Sequence, residues 1–226
     1  MRKPSLLAAI SSVAVFAFVL GAAPAHAESW RGRDARGDVR SYEIEFTTSC
    51  EEIPPGDPEP NDRRRDITRL SVEHGAEDVV VEMALREVVR HDEETSYVAY
   101  VHTPDRIYEV SVFSPPNVRP QVLISRVHVG RDPECGPALV GGQIVECDQA
   151  AAEADSRADR VSITIPRSCL GTPRWVRVGA LAGGFDADQF GPDTTRVTVT
   201  ADVWGPARAG LQGLLLPPSG PRVRSS

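Results

Sequence analysis

Val79, Val81, Met83 and Leu85 occupy every second position of one short run and alternate with Glu82, Ala84 and Arg86. Successive side chains of a strand point to opposite faces, so this alternation predicts a strand with one buried face and one wet face. Leu70, Val72 and His74 alternate in the same way with Ser71 and Glu73, and the link His74-Gly75-Ala76-Glu77-Asp78 has turn character. Residues 66–88 therefore read as a hairpin. Further alternating runs fall at 41–46, 97–103, 107–113, 121–129, 143–147, 160–166, 174–181 and 196–204; the last carries Val197, Val199 and Val203 on one face. Between them stand turn signals such as Pro54-Pro55-Gly56, Thr103-Pro104-Asp105, Ser114-Pro115-Pro116-Asn117 and Gly141-Gly142. The one helix-prone piece, Asp148 to Ala154, is short and flanked by strands. About ten short strands without an amphipathic helix predict an all-β fold, an antiparallel β-sandwich or jelly-roll-like domain.

The first 27 residues have a different character. Arg2 and Lys3 precede an apolar run from Val13 to Leu20, and Ala25-His26-Ala27 closes the segment with small residues. Basic start, apolar middle and A-x-A end predict a cleaved secretory leader, with the mature chain beginning at Glu28 and secreted. The apolar run is shorter than the roughly 20 residues of a spanning helix, so no membrane span is expected after cleavage. Removing the leader takes away Arg2 and Lys3 and leaves 199 residues of the 226, with 23 basic against 32 acidic side chains. That suits one domain over 28–204, with a polar loop at 50–66 and a loose Gly/Pro/Ala/Ser tail over 205–226. Such an acidic chain is a poor partner for nucleic acid or anionic membrane.

All four cysteines, Cys50, Cys135, Cys147 and Cys169, lie in the mature part, and no pair has C-x-x-C spacing. An even count in an exported chain predicts two disulfides rather than a zinc site. Sequence allows three connectivities. A hairpin of 143–153 with 159–169, centred near Ala158, places Cys147 opposite Cys169 within bridging distance, which leaves Cys50 for Cys135.

The segment from Cys147 through Ile165-Pro166-Arg167-Ser168-Cys169-Leu170-Gly171 and Pro173-Arg174-Trp175-Val176-Arg177-Val178 is similar to a pattern found in uncharacterised exported proteins of high-GC Gram-positive bacteria. Asp34…Gly37-Asp38-Val39 and the strand opening Asp66-Ile67 resemble the same group. The resemblance spans most of the mature chain. It implies an exported β-sandwich with a Cys147–Cys169 bridge and implies no activity; the extra pair Cys50 and Cys135 departs from its commoner two-cysteine pattern.

No G-x-S-x-G elbow, H-E-x-x-H helix, P-loop or G-x-G-x-x-G occurs, and His74, His91, His102 and His128 are scattered without ligand spacing. Asp186-Ala187-Asp188 followed by Asp193 places alternating carboxylates in a loop between strands, a pattern that suits Ca²⁺, with Asp34 and Asp38 as further oxygens if the N-terminal segment packs beside it. The plainer reading is an Asp-rich turn. Trp30, Trp175 and Trp204 are candidates for a sugar-stacking platform, although strand positions favour core packing for the last two. Three functions follow as expectations. The first is a non-enzymatic module for an extracellular carbohydrate or protein. The second is a secreted hydrolase with a carboxylate or His site, and the third a structural envelope protein. Two carboxyls converging in a cleft would favour the hydrolase.

Overall fold

The computed structural model describes residues 27–45, 56–89, 95–113, 118–132, 136–186, 196–205 and 219–225. Fourteen strands are present among them: β1 (Glu28–Arg33), β2 (Arg40–Glu45), β3 (Asp57–Pro58), β4 (Ile67–His74), β5 (Asp78–Leu85), β6 (Ser96–His102), β7 (Ile107–Phe113), β8 (Gln121–Asp132), β9 (Gly136–Val145), β10 (Ala151–Asp155), β11 (Arg160–Pro166), β12 (Trp175–Asp186), β13 (Arg196–Val203) and β14 (Val223–Arg224). They form two antiparallel sheets. The smaller runs β1-β4-β5-β11-β10; the larger runs β3-β2-β13-β12-β6-β7-β8-β9, with β14 paired to β12. A single 3₁₀ turn, η1 (Arg167–Leu170), follows β11.

The alternation seen in the sequence becomes the sandwich core. Val79, Val81, Met83 and Leu85 of β5 are buried beside Val161, Ile163 and Ile165 of β11. They face Ala99 and Val101 of β6, Val110 and Val112 of β7, and Val176, Val178, Ala180 and Ala182 of β12. Burying this much aliphatic surface between two sheets is what holds them together. The outer face of the small sheet is polar, with Arg160 and Glu82 paired across it at 3.3 Å.

Four strands lie outside the ten expected ones, each for a local reason. β1 and the two-residue β3 and β14 carry no alternation long enough to register. β10 is the segment read as helix-prone: Ala and Glu favour helix, but pairing Asp155 with Arg160 and Ala151 with Thr164 buys a place in the sheet and overrides propensity. Part of the stretch read as a loose tail is packed: Val223 is buried, and β14 pairs with Trp175 and Val176. Part of the stretch read as a polar loop is ordered too, since Asp57–Pro58 pairs with β2 and Asp66 is buried.

β13 differs in which face it buries. Val199, Ala201 and Val203 pack with Tyr42 in a small second cluster, while the alternate residues Asp202 and Trp204 turn toward the space between the sheets.

Candidate functional site

The inward turn of Asp202 creates the most unusual chemistry in the molecule. β13 carries it to the start of β4, where its Oδ2 accepts the Ile67 N–H at 2.7 Å. The preceding residue, Asp66, has 0% exposure. Its Oδ2 accepts the Gly37 N–H at 2.6 Å and Nη1 of Arg86 at 2.9 Å. Gly37 has φ +75, a left-handed conformation glycine adopts without strain, in the crossover that leads from β1 in the small sheet to β2 in the large one. That crossover also brings Asp38, and one oxygen each of Asp38, Asp66 and Asp202 lie within 4.8 Å of one another. Asp34 stands beside them, its Oδ1 and Oδ2 accepting the Ala35 and Gly205 N–H groups at 2.9 and 2.8 Å.

Crowding of like charge in a buried place raises carboxyl pKa values. Burial, then the charges of Asp38, Asp34 and Asp66, push Asp202 up to about 8 against the lowering pull of the Ile67 N–H. Asp34 is pushed up to about 6, by burial first and by Asp38 and Asp66 second. Asp38 is raised by burial and Asp66, with Arg40 opposing. Two acceptors, Asp38 Oδ1 and Asp66 Oδ1, are shielded from solvent and have no hydrogen-bond partner.

Of the expected oxygen ligands, the structure brings Asp34 and Asp38 into this cluster. It ends β12 at Asp186, while Asp188 and Asp193 lie outside the described residues. The sequence marks Asp66 only as a strand opening in the resemblance and Asp202 not at all, and neither as a ligand. The available signal was an Asp in an otherwise alternating strand, at position 202, and an Asp opening a strand, at position 66.

At the opposite end of the small sheet, Cys147 and Cys169 are bridged with Cα atoms 5.9 Å apart. Cys50 and Cys135 lie outside the described residues. η1 carries Cys169, and Gly171 closes the turn with φ +74. Arg167 ties this end together, donating from Nη1 to the Ala76 carbonyl at 2.8 Å and from Nη2 to the Pro173 carbonyl at 2.9 Å and Ser225 Oγ at 3.1 Å. His74 is buried there, its Nδ1 3.0 Å from the Val223 carbonyl. A carbonyl only accepts, so Nδ1 carries the proton.

The tryptophans do not form a platform. Trp30 and Trp204 pack edge to face at 5.1 Å, and the Arg222 guanidinium lies 4.5 Å over the Trp175 ring. An open depression of about 780 Å³ lies elsewhere, between the 103–107 turn and β8, and includes Arg106, Arg126, His128 and Gln143. Comparison with protein-family models, with curated proteins and with solved structures gives no match.

Proposed function

We propose that the chain is a secreted, non-enzymatic binding module whose partner is an extended protein segment bearing apolar side chains. The observation that carries this reading is a row of large apolar side chains left open on the outer face of the large sheet. Phe113 of β7, Leu123 of β8 and Ile144 of β9 are 45%, 40% and 65% exposed. The pairings Phe113–Gln121, Ser111–Leu123 and Ser125–Ile144 put all three on one face. Exposed apolar groups gathered in this way mark interaction surfaces.

The chemistry of the row favours a protein over a sugar. The open groups are aliphatic with one Phe, and all three tryptophans are engaged elsewhere. β9 ends the large sheet among the described residues, so its outer backbone edge suits an added strand. Export is supported by the leader-like residues 1–27 and by the Cys147–Cys169 bridge, which persists in oxidising compartments.

The test is a titration of isotope-labelled protein with an extended peptide alternating Leu and Glu and, separately, with soluble neutral oligosaccharides. Peptide-induced amide shifts confined to β7, β8 and β9, lost in Leu123→Lys with Ile144→Lys, are the expected result. Shifts of the same amides by oligosaccharide alone, or no response to the peptide, would overturn it.

A further inference from the structure

We propose that Asp38, Asp66 and Asp202 bind a hard divalent cation, Ca²⁺ in preference to Mg²⁺, at the end of the sandwich where the β1–β2 crossover, β4 and β13 meet.

The spacing fits. Calcium–oxygen bonds run roughly 2.3–2.6 Å, so two oxygens on one ion stand at most about 5 Å apart. The three carboxylates offer one oxygen each within 4.8 Å of the other two. The residues come from three separate elements, so the juxtaposition is a product of the fold and not of one acidic run.

A second observation points into the cluster. Asp66 has 0% exposure and its Oδ2 is fully used by Gly37 and Arg86, yet its Oδ1 has no hydrogen-bond partner. Asp38 Oδ1 is likewise shielded and without a partner. Buried acceptors without partners are costly and rare in native proteins. A cation held among the three carboxylates would satisfy both at once and also relieve the repulsion between groups this close. Arg86 answers Asp66 at 2.9 Å, and the guanidinium of Arg40 is directed to the Gly56 carbonyl at 2.7 Å.

The donor set selects the ion. Three carboxylates and no nitrogen or sulfur suit a hard cation, with waters completing the shell. The irregular arrangement favours Ca²⁺, which accepts flexible geometry, over Mg²⁺, which demands a near-ideal octahedron. Asp34 acts as a collar, since both of its oxygens already hold backbone N–H groups of the crossover and of Gly205. Bound there, the ion joins the two sheets as a bridge across the β1–β2 crossover.

The deciding experiment is calorimetric titration of the purified oxidised protein with CaCl₂ and with MgCl₂. Terbium luminescence excited through tryptophan gives a second readout, because Trp204 lies two residues from Asp202. One calcium per chain is expected, with magnesium at least tenfold weaker. Asp38→Asn, at a half-buried position, should weaken calcium at least tenfold, and Asp202→Asn should do the same, both with the near-UV signal of the Trp30–Trp204 pair retained. The proposal is overturned if the native protein takes up no calcium, if Asp38→Asn binds as tightly as native, or if Asp186→Asn with Asp188→Asn abolishes binding.

Discussion

The two ends of β4 are closed by opposite means. Its last residue, His74, sits at the end sealed by a covalent bridge, a 3₁₀ turn and the β14 strand. Just before its first residue stands Asp66, at an end where four carboxyls converge. About 26 Å of strand separates them, eight residues at roughly 3.3 Å each. Each end keeps polar atoms without partners, and their chemistry differs. At the sealed end they are nitrogens, Nε2 of the buried His74 ring and Nε of Arg167. At the open end they are oxygens of carboxyl groups, which are much costlier to leave unanswered once ionised. Both nitrogens sit on side chains whose other nitrogens are bonded; the crowded carboxylates repel one another and call for a counter-ion.

Breaking the covalent end should have the largest effect. Cys147 and Cys169 are 22 residues apart, and in the chain-entropy account opening such a loop costs about 3 kcal/mol. Cys147→Ser with Cys169→Ser should lose that amount in denaturant unfolding, while the calcium response of the far end persists. Midway between the ends, Gly32→Ala would place a Cβ 2.5 Å from the Trp204 ring and 2.6 Å from the Trp30 ring. Overpacking the Trp pair should cost about 2 kcal/mol and alter the near-UV circular dichroism.

The pH response separates the ends more gently. Burial holds the His74 imidazole below its usual pKa, with Arg167 pushing the same way and the Val223 carbonyl and Glu28 opposing. A base whose folded pKa is depressed is neutral in the fold and charges more readily when unfolded. Its contribution is therefore complete above the unfolded value near 6.5 and is lost as pH falls below it, with a slope of at most about 1.4 kcal/mol per pH unit. His74→Asn keeps a donor for the Val223 carbonyl; because Asp34 and Asp202 titrate in the same window with the opposite sign, the check is the native-minus-variant stability, which should fall between pH 7.5 and 5.

Much of the sealed end was legible in the sequence. Alternation located β7 and β11 at their observed bounds, and the hairpin centred near Ala158 is close to the observed pairing of Asp155 with Arg160. The bridged cysteines lie beyond the paired strands, offset by one residue from their register, where η1 follows β11. The carboxylate end was legible only as Asp34 and Asp38. Asp66 and Asp202 are 136 positions apart and meet solely because β4 and β13 face each other across the sandwich. Alternation found the buried Val199–Val203 face of β13, which packs on Tyr42, but not that the polar face with Asp202 turns inward as well. Period-2 patterning identifies a buried face and has no means of showing that both faces are covered.

Amide hydrogen exchange at the carboxylate end tests the contrast most directly. The Gly37, Ile67 and Gly205 N–H groups donate to Asp66, Asp202 and Asp34. With calcium at a hundred times its dissociation constant, mass action adds about 2.7 kcal/mol to any opening that breaks the site. Exchange of these three amides should slow by up to about a hundredfold in the native protein and by no more than about tenfold in Asp38→Asn. Rates at Gly37, Ile67 and Gly205 that ignore saturating calcium, or a slowing just as large in Asp38→Asn, would contradict a cation-closed end.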